Sequence, residues 1–222
     1  MKLKNGDRWV MIGDSVTDMG RGPDGNGLSE TAKNFGVGYP NVVAGLLGAV
    51  YPELRIRITN VGNNGNRSCD LKARWQHDVM DLKPDWLSIL IGINDVWRQY
   101  DNPACLQAHI HLPEYEATLR ELVSKTKPIL SGGLILMTPY YMEPNPQDWM
   151  RAKMDEYGAV CKKIAAEEGC YCVDLQAAFN DILRFYHSSF IAWDRVHPNI
   201  YGATMIAREL LKVLDFDFNH QP

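Results

Sequence analysis

Short, nearly uninterrupted runs of apolar residues mark three places along the chain, at residues 9–12, 86–91 and 134–137. Runs of this length are typical of parallel strands that are covered on both faces, so they predict the central strands of a sheet. Residues 54–58 alternate between apolar side chains and arginine, and the apolar run at 171–173 is short. These two segments predict the edge strands.

Apolar residues with helical spacing lie between and after these segments. They recur every three or four positions over residues 115–123, 154–164 and 203–214, which predicts amphipathic helices. The alternation of strands and helices predicts an α/β fold, with a doubly wound parallel sheet and helices on both faces. The proline-containing segment 139–149 follows a predicted central strand, and in such a sheet this position lies on the ligand side.

Length, charge and cysteine content narrow the class of protein. A chain of 222 residues has the size of one α/β domain, so we predict a single domain over residues 1–222. The formal net charge is −4 and the basic residues are scattered, which argues against nucleic acid or an anionic membrane as a partner. No apolar stretch is long enough to span a bilayer or to form a secretory leader. The five cysteines, an odd number, favour a cytoplasmic location, where thiols stay reduced.

Residues with catalytic potential follow the first three predicted strands. Ser15 stands just after the first strand, Gly65 after the second and Asn94 after the third. Taken singly, each has a structural explanation, as a helix cap or as a tight turn. The catalytic explanation is a nucleophilic hydroxyl together with a backbone N–H and a side-chain amide that donate to a developing oxyanion.

The segment before the last predicted helix favours the catalytic explanation. Asp194 and His197 are three positions apart in a non-periodic stretch that ends at Pro198, so a turn can bring the carboxylate onto one imidazole nitrogen. The other nitrogen is then free to take the proton of Ser15, which makes the serine a nucleophile. No other histidine combines an aspartate three positions earlier with a proline directly after it. Together these residues indicate a serine hydrolase.

The segments around Ser15, Gly65, Asn94 and Asp194 with His197 resemble the four sequence blocks of the SGNH, or GDSL, hydrolase superfamily. The resemblance implies a flavodoxin-like three-layer α/β/α sandwich with a five-stranded parallel sheet. It also implies a catalytic triad of Ser15, His197 and Asp194. The implied oxyanion hole consists of the backbone N–H groups of Ser15 and Gly65 and the side-chain amide of Asn94. Such a mechanism needs no metal and no cofactor.

Over nearly the whole chain, the sequence is similar to the bacterial intracellular acetylxylan esterases of this superfamily, most visibly in residues 9–21, 73–101, 114–119 and 193–199. The similarity implies removal of acetyl groups from acetylated xylo-oligosaccharides or xylosides, and assembly as a homo-oligomer. We expect Asp14, Trp97 and Trp193 to contact the small acetylated sugar. An indole face can stack on a sugar ring.

Two other interpretations stay open from the sequence. The first is a thioesterase or lysophospholipase of the same superfamily, which would need a long apolar groove. The polar side chains of segment 139–149 suit a sugar better than an alkyl chain. The second is a non-catalytic, flavodoxin-like binding module with a phosphate loop after the first strand. Asp14 and Asp18 instead place negative charge at that position.

Overall fold

The computed structural model describes residues 1–22 and 35–222. Within these ranges, five strands form one parallel sheet with the order β2-β1-β3-β4-β5. The α/β fold with a five-stranded parallel sheet is confirmed, and the segments predicted as central and edge strands occupy those positions. The strands are β1 (Arg8–Gly13), β2 (Arg57–Asn60), β3 (Trp86–Leu90), β4 (Gly133–Met137) and β5 (Tyr171–Val173).

Helices alternate with these strands and cover both faces of the sheet. In the described residues they are α1 (Ser15–Asp18), α2 (Tyr39–Val50), α3 (Ser68–Trp75), α4 (Ile93–Asp101), α5 (Leu112–Thr126), α6 (Trp149–Glu168), α7 (Leu175–Ile182), α8 (Ser188–Ile191) and α9 (Ile200–Lys212). In one layer, α2 and α7 pack against α9. In the other layer, α3 and α6 pack against α5, and α4 packs against α6. Over 1–22 and 35–222, no helix has the length and apolar character needed to cross a bilayer.

The second strand begins later than its sequence pattern predicted. Pro52–Leu54 forms a 3-10 turn, and Arg55 follows with a left-handed backbone at φ 46°. The strand therefore starts at Arg57, and Ile58 pairs with Trp9 of β1. The alternating pattern spans a turn as well as a strand, so only its second half is extended.

The apolar runs that predicted the central strands are buried between the two helical layers. All five residues of β3 and the last five of β1 are buried, because helices cover both faces of these strands. One cluster of buried side chains extends through the described residues. The predicted single domain spans 1–222, and its residues 23–34 lie outside the described ranges.

Two glycines allow tight turns at the carboxyl end of the sheet. A Cβ atom at Gly13 would overlap its neighbours, and one at Gly92 (φ 130°) would lie 2.9 Å from Cγ of Pro139. Because glycine carries no Cβ and tolerates a positive φ, the chain can turn directly from β1 into α1 and from β3 into α4. These two helices carry Ser15 and Asn94.

Candidate active site

Ser15 begins the short helix α1 immediately after β1. The side chain of Asp14 caps this helix and accepts a hydrogen bond from the backbone N–H of Val16 at 2.9 Å. Ser15 is half-buried, and its Oγ lies 2.7 Å from Nε2 of His197. The turn after β1 therefore places a hydroxyl within hydrogen-bond distance of an imidazole.

Asp194 and His197 lie in one turn between α8 and α9. Oδ2 of Asp194 is 2.5 Å from Nδ1 of His197, and Oδ1 accepts from the backbone N–H groups of Val196 and His197 at 3.0 and 2.9 Å. Partial burial acts to raise the pKa of Asp194, but the hydrogen bonds from His197 and Val196 outweigh it and hold the pKa below its usual value. An ionised carboxylate on Nδ1 leaves Nε2 as the proton acceptor that faces Ser15.

Segment 139–148 holds the turn that carries Asp194 and His197. Arg195, between them, has a left-handed backbone with φ 64°, a conformation that is unfavourable for a residue with a Cβ. The backbone N–H of Met142 donates to the carbonyl of Arg195 at 2.9 Å, and Tyr140 donates through its hydroxyl to the carbonyl of Val196 at the same distance. The Arg195 side chain also pairs with Glu143 at 2.6 Å. Segment 139–148 therefore fixes a strained turn.

Three polar side chains of this segment, those of Glu143, Asn145 and Asp148, bond to other groups of the protein. Glu143 is engaged by Arg195 and by the backbone N–H of Asn145. Asn145 accepts from the backbone N–H of Gln147, and Asp148 caps α6 by accepting from the backbone N–H of Arg151. These bonds shape the segment and connect it to Arg195 and to the start of α6.

Gly65 and Asn94, which the sequence suggested as oxyanion donors, follow β2 and β3 and are linked through Asn66. Gly65 is exposed and has φ 74°. Asn94 is buried in the first turn of α4, where its Nδ2 donates to the carbonyl of Asn66 at 3.0 Å. Arg98, one helical turn later, donates to Oδ1 of Asn94 at 3.0 Å. The cation and the carbonyl together fix which end of the Asn94 amide is the donor.

Asp14 does not reach the protein surface, because it is only 1% exposed. Its Oδ2 has no hydrogen-bond partner among the described residues. Burial raises the pKa of the Asp14 carboxyl from 3.8 to about 7. The negative charge of Asp95 adds to this rise, whereas the bond from Val16 and the positive charge of Arg74 oppose it. Where the sequence suggested a sugar contact, the structure has a buried carboxyl beneath Ser15.

The two tryptophans near Asp194 and His197 differ in exposure. The ring of Trp97 is half-buried and its centre lies 6.0 Å from the centre of the His197 ring. Trp193 directly precedes Asp194 and is 82% exposed. The Trp97 ring therefore lies beside His197, and Trp193 lies next to Asp194 in the chain. Both rings are at least partly exposed, so a ligand can reach them.

Several residues that support the site escaped the sequence analysis. Arg98 could have been found from its i, i+4 spacing to Asn94 on one helix face. The contact between Arg195 and Glu143 joins residues that are far apart in the chain, so no local spacing indicates it. In the described ranges, no group of three or more histidine, cysteine or acidic residues could hold a metal ion.

Comparison with known proteins connects this geometry with a protein family. Residues 11–204 match the model of the GDSL-like lipase/acylhydrolase family. An acetylxylan esterase of Geobacillus stearothermophilus is 52% identical over 219 residues, which are 98% of either chain. The crystal structure of the acetylxylan esterase from that organism has a TM-score of 0.95 and 51% identity, and the match covers 100% of both chains. An α/β hydrolase from the metagenome of Lake Arreo, Spain, has a TM-score of 0.93 and 46% identity, over 97% of this chain and 98% of that one.

The solved structures of the Geobacillus esterase include catalytic mutants. In these, alanine replaces a serine, an aspartate or a histidine.

Proposed function

Because the chain belongs to the GDSL-like lipase/acylhydrolase family, we propose that it is a serine esterase that removes acetyl groups from acetylated xylo-oligosaccharides or xylosides. Family membership confirms the resemblance to SGNH hydrolases that the sequence indicated. The observation that carries the proposal is the hydrogen-bonded series Ser15, His197 and Asp194 at the carboxyl end of the sheet. Similarity to an acetylxylan esterase over 98% of the chain supports the substrate class.

In the acylation step, Oγ of Ser15 attacks the carbonyl carbon of the acetyl ester while Nε2 of His197 takes the hydroxyl proton. Asp194 holds the imidazole through Nδ1 and stabilises its positive form. The tetrahedral intermediate then collapses, because His197 gives the proton to the sugar oxygen as the carbon–oxygen bond breaks. An acetyl group remains on Ser15. A water molecule that loses a proton to His197 attacks this acetyl group. The bond between the carbonyl carbon and Oγ of Ser15 then breaks, His197 returns the proton to Oγ, and acetic acid leaves and ionises to acetate.

The carbonyl oxygen becomes negatively charged in each tetrahedral intermediate. The donors that would stabilise it are the backbone N–H groups of Ser15 and Gly65 and Nδ2 of Asn94. Nδ2 carries two hydrogens, and one of them is bonded to the carbonyl of Asn66. The second hydrogen is left to donate to the oxyanion. The sugar would stack on Trp97 or Trp193, and the buried carboxyl of Asp14 would support the turn from below.

Replacement of the nucleophile tests the proposal. We expect Ser15→Ala to leave the Tm unchanged within a few degrees and to lower kcat on a chromogenic acetyl ester by roughly three or more orders of magnitude. Ser131→Ala is a matched control, because Ser131 stands near the amino end of β4 and bonds to Asp85. A serine-directed phosphonate should label the native chain once, at Ser15. A Ser15→Ala variant that keeps a tenth of the native activity would show that another residue is the nucleophile.

A substrate panel tests the acyl group and the sugar. We expect acetyl esters to be cleaved faster than octanoyl esters or acyl thioesters with the same leaving group. Among natural-type substrates, acetylated xylosides should lose acetate, measured by mass spectrometry. Faster release of the octanoyl group would identify a lipase-like or thioesterase-like enzyme of the same fold.

The cytoplasmic location and the homo-oligomer are further parts of the proposal. All five cysteines are free thiols, which suits a reducing compartment. The exposed rings of Tyr186, Phe190 and Tyr201 contact one another at the surface formed by α8, α9 and the segment before them. Exposed apolar clusters of this kind are typical of protein interfaces. Cell fractionation and sedimentation equilibrium would test the two expectations separately.

A further inference from the structure

Arg74, on α3, bonds to several groups at the carboxyl end of the sheet, and no motif in the sequence indicates these contacts. Its side chain is only 16% exposed. It donates to the carbonyl oxygens of Gly13 at 3.0 Å and Val61 at 2.7 Å, to Oδ1 of Asn66 at 2.7 Å and to Oδ2 of Asp78 at 2.5 Å. One planar cation therefore joins four separate acceptors.

Three of these acceptors belong to the segments that carry the catalytic groups. Gly13 ends β1 and precedes Ser15 by two residues. Val61 directly follows β2, and Asn66 adjoins Gly65. The backbone N–H of Asn63 also donates to the carbonyl of Gly13 at 3.1 Å. Arg74 therefore links the end of the nucleophile strand to both ends of the loop that contains Gly65.

The same contacts extend to Asn94. The side chain of Asn66 accepts from Arg74, and the backbone carbonyl of the same residue accepts from Nδ2 of Asn94. A shift of Asn66 would move the acceptor that orients the Asn94 amide. Oxyanion donors act only when they are held about 2.7–3.1 Å from the developing charge, so a small displacement weakens them.

We propose that Arg74 is a positioning residue that sets the spacing between the nucleophile Ser15 and the oxyanion donors Gly65 and Asn94. The inference rests on the roles assigned to those three residues under the proposed function. Lysine cannot substitute fully, because a single ammonium group lacks the planar, five-donor geometry that reaches acceptors on different segments at once.

A purely structural role for Arg74 makes a different prediction. If the role were purely structural, replacement of Arg74 would lower the Tm and leave the turnover of the folded enzyme unchanged. If Arg74 is a positioning residue, its replacement lowers kcat, because the oxyanion donors act most strongly in the transition state. The same replacement changes KM little. Affinity for a small alkylboronic acid, which forms a tetrahedral adduct on serine, should fall in parallel with kcat/KM.

The experiment compares Arg74→Ala and Arg74→Lys with Arg57→Ala. Arg57 is a matched control, because it donates to the carbonyl of Gly6 at the opposite end of β2. Removal of a direct oxyanion donor costs about a hundredfold to a thousandfold in kcat. For the indirect loss in Arg74→Ala, we expect roughly a tenfold to hundredfold fall in kcat with KM within about threefold. Arg74→Lys should lie between Arg74→Ala and the native enzyme, and Arg57→Ala should match the native enzyme.

Rescue of kcat by added guanidinium ion is a second test, because a purely structural role for Arg74 predicts no such rescue. Millimolar guanidinium should restore part of the kcat of Arg74→Ala and have no such effect on the native enzyme or on Arg57→Ala. If kcat per folded molecule stays within about threefold of native, or if KM alone changes, the positioning role is wrong.

Asn66→Ala keeps the proposal testable if Arg74→Ala does not fold. It should lower kcat and the boronic acid affinity together, and Arg74→Lys combined with Asn66→Ala should lose less than the product of the two single losses. Independent, multiplicative losses would overturn the proposal. Ser15→Ala distinguishes a failure of the inference from a failure of the proposed function, because only the latter leaves Ser15→Ala active.

Discussion

The burial of the Asp14 carboxyl allows a quantitative prediction of how the free energy of unfolding depends on pH. Asp14→Asn is a nearly isosteric change that keeps an oxygen to accept from the backbone N–H of Val16, so the cap of α1 persists. What the substitution removes is the ability of this buried position to carry a negative charge. The amide nitrogen occupies the place of an oxygen that has no partner among the described residues.

The sign follows from the pKa of Asp14, which burial raises from 3.8 to about 7 in the folded protein. The folded state therefore binds this proton more tightly than the unfolded state does. The stabilising contribution is complete below the unfolded-state value and is lost as the pH rises through about 7. A tenfold difference in proton affinity corresponds to about 1.4 kcal/mol, so the whole loss is roughly 4 kcal/mol. The amide of the Asp14→Asn variant would stay neutral at every pH and would avoid this loss.

The assay is thermal unfolding of the native protein and Asp14→Asn at about pH 5 and pH 8. Most of the loss falls between these two values, so the stability of the variant relative to the native protein should rise by roughly 3 kcal/mol. For a chain of this size, that is about 6–12 °C in Tm. The second buried carboxyl, Asp95, with a pKa raised by burial to about 6, titrates in both proteins. Its charge acts on Asp14, so Asp95 contributes a smaller, coupled part of the difference between the two proteins. Asp148→Asn, at a half-exposed helix cap, is the control.

Two results would refute this reasoning. One is a Tm difference between Asp14→Asn and the native protein that does not change from pH 5 to pH 8. The other is a lower Tm of the variant at pH 8. Kinetics of the same variant test the sugar contact that the sequence suggested for Asp14. Because the carboxyl is buried, we expect KM for an acetylated xyloside to stay within about twofold of native.

Three further predictions concern the site. Asn94→Ala should lower kcat by about a hundredfold to a thousandfold with little change in KM; a variant that melts several degrees lower but turns over at the native rate would make Asn94 a structural residue only. Trp193→Ala should raise KM for acetylated xylo-oligosaccharides and leave the Tm and the hydrolysis of a small chromogenic acetate unchanged, because the indole is 82% exposed; equal effects on both substrates would contradict a sugar-stacking role. Treatment with a chelator should leave kcat/KM unchanged, and activity that is lost with the chelator and restored by a divalent metal would contradict the serine mechanism without a metal.

The strands could be predicted because their burial is reflected in a simple pattern of apolar residues in the sequence. A central parallel strand is covered on both faces, so nearly all its residues are apolar, as in β3. The helix α2 escaped prediction. It contains Gly45 and Gly48, which are poor helix formers, and its buried residues are few. The start of β2 was misplaced because the turn at Pro52–Leu54 carries part of the same alternating pattern.

The placement of the candidate site at one edge of the sheet could be predicted, because the carboxyl ends of parallel strands meet there. Ser15, Gly65 and Asn94 each follow a strand, so their convergence needs only the strand order. The positions of Asp14 and Arg74 depend on tertiary packing instead. A carboxyl next to Ser15 can face the solvent or the core, and its neighbours in sequence are the same in either case.

The left-handed backbone of Arg195 shows why the turn between Asp194 and His197 needs support from elsewhere in the chain. A spacing of three allows Oδ1 of Asp194 to accept two backbone N–H groups while Oδ2 reaches the imidazole, but it leaves Arg195 at φ 64°. Such strain persists only where surrounding contacts hold it. Met142 and Tyr140 supply these contacts through backbone acceptors, which any side chain at 195 would leave in place. The contacts of Ser15, Asp194 and His197 therefore depend on the segment after β4 as much as on the spacing of Asp194 and His197.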